Sequence, residues 1–226
     1  MTELRTFDRR PWLILCEGES DKRFLHQLIT VRQIADDFQI RFPSRGKDNS
    51  GGRSKFGPWL DTAKDVRGWE NVRAILVVSD NDDDPKKSLE EVRASLQNAV
   101  GFPVPNTERT MAKAVGFPYL VILMLPLGNK GGLETLCLSA AYDKWPVVKN
   151  PLDTFVGSVG TDQWSANKEG KMRLQAIIAS TCEARPDAGF VGHWWENYQY
   201  HLPLGHKVFD DIAAFLTGFR ALIAAA

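Results

Sequence analysis

The chain has 226 residues, 43% apolar and 25% charged, the make-up of a globular protein long enough to bury its own core. Its 28 Lys and Arg balance 28 Asp and Glu, so no overall charge draws it to nucleic acid or to an anionic membrane. The longest apolar run, Tyr119 to Leu127, falls far short of the roughly 18–20 residues a bilayer demands, and the widely spaced Cys16, Cys137 and Cys182 make no disulfide framework.

The charged stretch Glu3 to Arg10 lacks the apolar core of a secretory signal, so a cytoplasmic protein without membrane contact is expected. Trp12–Cys16, Ile75–Ser79 and Leu120–Leu125 are short, continuous apolar runs without alternation, the pattern of parallel strands covered on both faces; Gln39–Phe42 is a weaker fourth. Between them the periodicity predicts a helix over Asp21 to Ile34 capped by Ser20, a shorter one over Phe56 to Gly68, and one from Asp84-Pro85 to about Val100. Gly101 to Pro118 reads as an excursion loop. Leu136 to Ala141 continues a short helix, Lys144 to Gly160 reads as irregular, and Ser165 to Thr181 and Phe209 to Leu222 read as helices, the last an apolar stripe for the core or a dimer interface. Strands alternating with helices imply right-handed crossovers and an α/β, doubly wound, mostly parallel sheet flanked by helices. One domain over residues 1–226 is expected, with a core at about 10–140 and a helical C-terminal portion at about 141–226.

In such a sheet the ligand site lies at the carboxyl ends of the strands. There the sequence places Glu17-Gly18-Glu19-Ser20-Asp21, then Asp80-Asn81-Asp82-Asp83-Asp84, then Gly131-Gly132-Leu133-Glu134. Converging carboxylates repel unless neutralised, and a hard divalent cation such as Mg²⁺ neutralises them through oxygen ligands. Side chains at i and i+2 of a strand share a face, so Asp80 and Asp82 can reach one ion with Glu17, while Gly18 allows a turn that brings Asp21 to the same cleft. Asp83 and Asp84 are read as helix-start residues, and Glu19 as facing away from Glu17. From Arg41 to Arg73 there are eight basic residues against four acidic ones; Lys47, Arg53 and Lys55, in a Gly- and Ser-rich stretch, either contact backbone phosphates or form an ordinary surface loop. His26, His193, His201 and His206 have no metal-ligand spacing, Cys16 and Cys137 read as small core residues, and the aromatic cluster Trp194 to Tyr200 either packs or stacks on bases.

Glu17-Gly18 after one strand and Asp80-Asn81-Asp82 after another resemble the signature of the Toprim domain, shared by topoisomerases, bacterial primases, a ribosomal-RNA maturase and nucleases of the overcoming-lysogenization-defect (OLD) type. The run Glu17-Gly18-Glu19-Ser20-Asp21 resembles the OLD-like branch, Gly132-Leu133-Glu134 is similar to its further metal-binding glutamate, and Lys171 is placed like its late catalytic lysine, with Lys168 one turn away as the alternative. The chain looks most like a small stand-alone Toprim-like protein. The resemblance implies a Toprim-like fold and a nuclease that hydrolyses phosphodiester bonds with Mg²⁺ or Mn²⁺. Two ions are implied: Glu17, Asp80 and Asp82 at one, Asp21, Glu134 and a shared aspartate at the other, with Glu17 and Lys171 in catalytic roles. DNA is the favoured substrate; structured RNA, or a non-catalytic metal-dependent module that binds nucleic acid or a partner, are the alternatives. The sequence holds no Gly-x-x-x-x-Gly-Lys-Ser/Thr loop, so an ATPase partner would be a separate chain; a homodimer is the other assembly considered.

Overall fold

The computed structural model describes residues 6–43, 51–183 and 202–225. Lys47, His193, His201 and the Trp194 to Tyr200 cluster lie outside the described residues.

Five strands form one sheet in the order β2-β1-β3-β5-β4: β1 (Trp12–Leu15), β2 (Phe38–Arg41), β3 (Ala74–Asp80), β4 (Met111–Ala112) and β5 (Tyr119–Leu125). The pairs β1–β2, β1–β3 and β3–β5 are parallel and the short β4 runs antiparallel to β5. The protein is thus an α/β protein with a mostly parallel, doubly wound sheet. The strand alternation sends successive residues to two separate cores. Trp12, Ile14, Leu76, Val78, Val121 and Leu123 meet the helices α1 (Glu19–Val31), α4 (Leu133–Lys144), α6 (Ala166–Thr181) and α7 (Asp210–Ala224). Leu13, Leu15, Ile75, Val77, Leu120 and Ile122 meet α2 (Phe56–Ala63) and α3 (Pro85–Gln97). Burial on both faces explains why the strand sequences carry no alternation.

Several boundaries differ from the sequence reading. The first helix begins at Glu19, not Asp21, with Gly18 at its cap and Ser20 inside the first turn; Asp21 accepts the Gly18 N–H at 2.9 Å, which makes Asp21 the capping side chain. The stretch read as irregular contains α5 (Lys149–Val159). It buries only Leu152 and Val156, and Pro151 sits in its first turn, where a missing N–H costs nothing. The excursion loop carries β4. Phe209, just before α7, and Ile212, Leu216 and Phe219 on it are buried in this chain's own core, with Phe219 edge-on to the Trp12 ring at 6.0 Å. Among the described residues no helix is long and apolar enough to cross a membrane.

Candidate metal centre

The carboxyl edge of the sheet gathers the acidic side chains through backbone contacts that fix each one. β1 ends just before Glu17, whose Oε1 accepts the Ser79 hydroxyl and the Asp80 N–H, the latter at 3.1 Å. Asp80 closes β3, and its Oδ1 accepts the N–H of Leu133, the first residue of α4, at 3.0 Å. Glu134 follows on the same first turn. A Cβ on Gly132 would lie 2.5 Å from Asp80 Oδ2 and 3.0 Å from Asn167 Oδ1, so only glycine lets the α4 start approach these two oxygens.

The i, i+2 alternation stops at Asp80. Asn81 is buried and donates to the carbonyls of Pro126 at 2.6 Å and Asn129 at 2.8 Å, locking the β5–α4 connection onto the end of β3. Asp82 takes a left-handed backbone at φ +48°, and its carboxylate turns to Arg53 and Asn167. It rejoins Glu17 through one guanidinium, since Arg53 Nη2 contacts Asp82 and lies 3.5 Å from Glu17 Oε1. The other acidic residues stand aside: Asp84 caps α3 by accepting the N–H groups of Lys86 and Lys87, each at 3.1 Å, Asp83 is exposed, and Glu19 pairs with Arg23 at 2.8 Å.

The electrostatics identify which groups share a field. Burial, then the charges of Glu17 and Glu134, push the Asp21 carboxyl up to about 7, against opposing pulls from the Gly18 N–H and Lys171. Asp80 is pushed well above the carboxylate range by burial and then by Asp21, Glu17 and Glu134, with Lys171 again opposing. Glu17, Asp21, Asp80, Glu134 and Lys171 therefore sit within electrostatic reach of one another. Both lysines of α6 are exposed, but it is Lys171 whose charge reaches Asp21 and Asp80; Asn167 lies one turn before it on the same face, and Lys168 sits beside the Ser165 cap.

Of the basic residues expected on a loop, Arg53 stands inside the carboxylate cluster, and Lys55 follows it in a 3₁₀ turn, Arg53–Lys55. Cys16 and Cys137 are buried, and burial raises both thiols well above their ordinary range, as suits core residues. His26 is exposed on α1, and His206 pairs with Asp143 at 2.8 Å.

Sequence reasoning missed Asn167, Ser79 and the inward placement of Arg53. Their one-letter context is ordinary, and only the folded contacts bring them together. Because a carboxylate only accepts, Asn167 turns its Nδ2 to Asp82, which leaves Oδ1 buried without a hydrogen-bond partner beside Asp80. Among the described residues no three Asp, Glu, His or Cys side chains converge as a ready ligand set, their oxygens being turned to protein donors. The donors are nonetheless hard oxygens, they are under-neutralised, and an orphaned amide oxygen lies among them. That chemistry fits Mg²⁺ or Mn²⁺.

The fold and site together define an α/β protein with an acidic cluster at the carboxyl edge of a parallel sheet. Residues 11–216 match a family described as "Protein of unknown function (DUF3226)", and the chain belongs to that family. Neither the curated proteins nor the solved structures gave a match.

Proposed function

We propose that the chain is a cytoplasmic, Toprim-like nuclease of the OLD-like branch, hydrolysing phosphodiester bonds of DNA with Mg²⁺ or Mn²⁺. The observation that carries this reading is the convergence of Glu17, Asp21, Asp80 and Glu134 from three strand ends with Lys171 from α6, a cluster whose aspartates resist ionisation because they are buried and then because like charges surround them. Glu17, Asp21, Asp80, Asp82 and Glu134 are the residues that would hold the cation. A divalent cation in such a site supplies a nucleophilic water of lowered pKa and neutralises charge on the phosphate. The chain's own part is to orient and stabilise: the Leu133 N–H and the Ser79 hydroxyl fix the directions of Asp80 and Glu17, and Lys171 stabilises the charge that grows on the scissile phosphate.

The test is cleavage of supercoiled plasmid, linear single-stranded DNA and structured RNA with Mg²⁺, Mn²⁺ or EDTA, alongside folded Glu17→Gln and Asp80→Asn proteins. Metal-dependent DNA cleavage that disappears in both variants is expected. Cleavage of RNA alone would replace DNA as the substrate. Calorimetric Mn²⁺ binding with no cleavage of any substrate would identify a binding module in place of an enzyme.

A further inference from the structure

The segment from Gly51 to Lys55 lies across the end of β1. Gly52 donates its N–H to the Glu17 carbonyl at 2.9 Å. A Cβ on Gly51 would come within 1.8 Å of that same oxygen, so the two backbones meet only because position 51 has no side chain. This approach delivers Arg53 into the acidic cluster, with 12% of its side chain exposed. Nη2 pairs with Asp82 and lies 3.5 Å from Glu17 Oε1, while Nη1 lies 3.5 Å from Glu91 Oε2 and is buried without a hydrogen bond. A guanidinium carries five N–H donors in a rigid fork, and a well-fitted one satisfies them bidentately. Here charge attraction to three carboxylates holds it, with part of its hydrogen-bonding capacity unused.

We propose that Arg53 is the internal counter-ion of the carboxylate site, and that a divalent cation displaces it from Glu17 and Asp82. This rests on the metal-binding reading of the site. Carboxylates at a partly buried edge need positive charge, and Arg53 supplies it in the metal-free protein. Its grip on Glu17 and Asp82 adds to the protein donors that keep a ready ligand set from forming among the described residues: two of the carboxylates face the guanidinium. Displacement frees both carboxylates for the cation. It also leaves a planar, phosphate-matching cation tethered by Gly51 and Gly52 at the site, so that metal loading and capture of a substrate phosphate are coupled through one residue.

Two measurements test this, both with metal alone and no nucleic acid. In the first, Mn²⁺ affinity by calorimetry is compared between wild type and Arg53→Met, a neutral side chain of similar length. The variant is expected to bind about tenfold more tightly, because its acidic neighbours lose their competitor; equal or weaker binding by a folded variant overturns the proposal. In the second, which needs no variant, the Arg53 Nε–H resonance of the wild type is followed during Mg²⁺ titration. It is expected to shift and lose protection from solvent exchange as the site fills; an unchanged resonance at saturating Mg²⁺ overturns the proposal while leaving the metal centre standing. Absence of Mn²⁺ binding to either protein would overturn the metal centre along with it.

Discussion

A carboxyl that ordinarily titrates at 3.8 and is pushed up to about 7, as Asp21 is, makes the folded chain bind more protons than the unfolded chain between those values. Its contribution to stability is therefore full below pH 3.8 and is lost as pH rises towards 7. In EDTA, the stability of the wild type relative to Asp21→Asn is expected to fall by about 1–2 kcal/mol between pH 5 and pH 8, allowing for solvent screening at the cleft. Urea unfolding at the two pH values measures it, and a relative stability that rises with pH would contradict the crowding of Asp21 by Glu17 and Glu134. The presence of Glu17, Asp21, Asp80 and Glu134 at one edge was legible in the sequence, because strand ends and turn residues mark where a parallel sheet delivers polar groups. The turning of Asp82 was not, since its left-handed backbone is set by the Gly131 N–H that its carbonyl accepts at 2.6 Å, a contact from a distant part of the chain.

Elements decide which of two neighbouring lysines reaches the acidic cluster. On α6 the face that meets α4 carries Asn167 and Lys171, four residues apart, and Lys168 falls off that face. Lys171→Met is expected to lower kcat for DNA cleavage by about 10²-fold or more, the cost of losing one preorganised charge at a developing anion. Lys168→Met is expected to leave kcat within about twofold, as surface substitutions away from a site do. Steady-state kinetics on both variants would reverse the assignment if Lys168 proved the sensitive one. The three strong strands and most helices were readable because each has a clear period or an uninterrupted apolar run. The α5 helix was not: its core stripe is two residues long, and Pro151 and Gly157 look like breakers to a reader who cannot see Leu152 join the core that Leu174 and Ile177 of α6 also enter.

Across the whole molecule, the sheet separates two cores and places the acidic site at one edge and the α7 contacts towards the other. Arg220 and Ile223 of α7 line a cavity with Pro11, Trp12, Arg73 and Tyr119, residues at the strand beginnings. Phe219, wholly buried, packs on Trp12 and Phe38 there. Phe219→Ala is expected to destabilise the fold by about 3–5 kcal/mol in urea unfolding. Mn²⁺ affinity measured on the folded fraction should stay unchanged, and a parallel loss of affinity would show that the two edges are not mechanically independent. Fold class was legible at this scale from the alternation of strands and helices alone. The assignment of each helix to a face was not, because it depends on crossovers that no local pattern records.

The close approach at Gly51 carries a consequence for how such a chain tolerates sequence change. A position with no side chain and no chemistry of its own governs the electrical state of the site, since any larger residue would lift the Gly51 to Lys55 segment off β1 and carry Arg53 away from Glu17. In a saturation library, position 51 would behave like a site residue although it brings no functional group to the site. Its intolerance would track that of Arg53 and Glu17, not that of the apolar core.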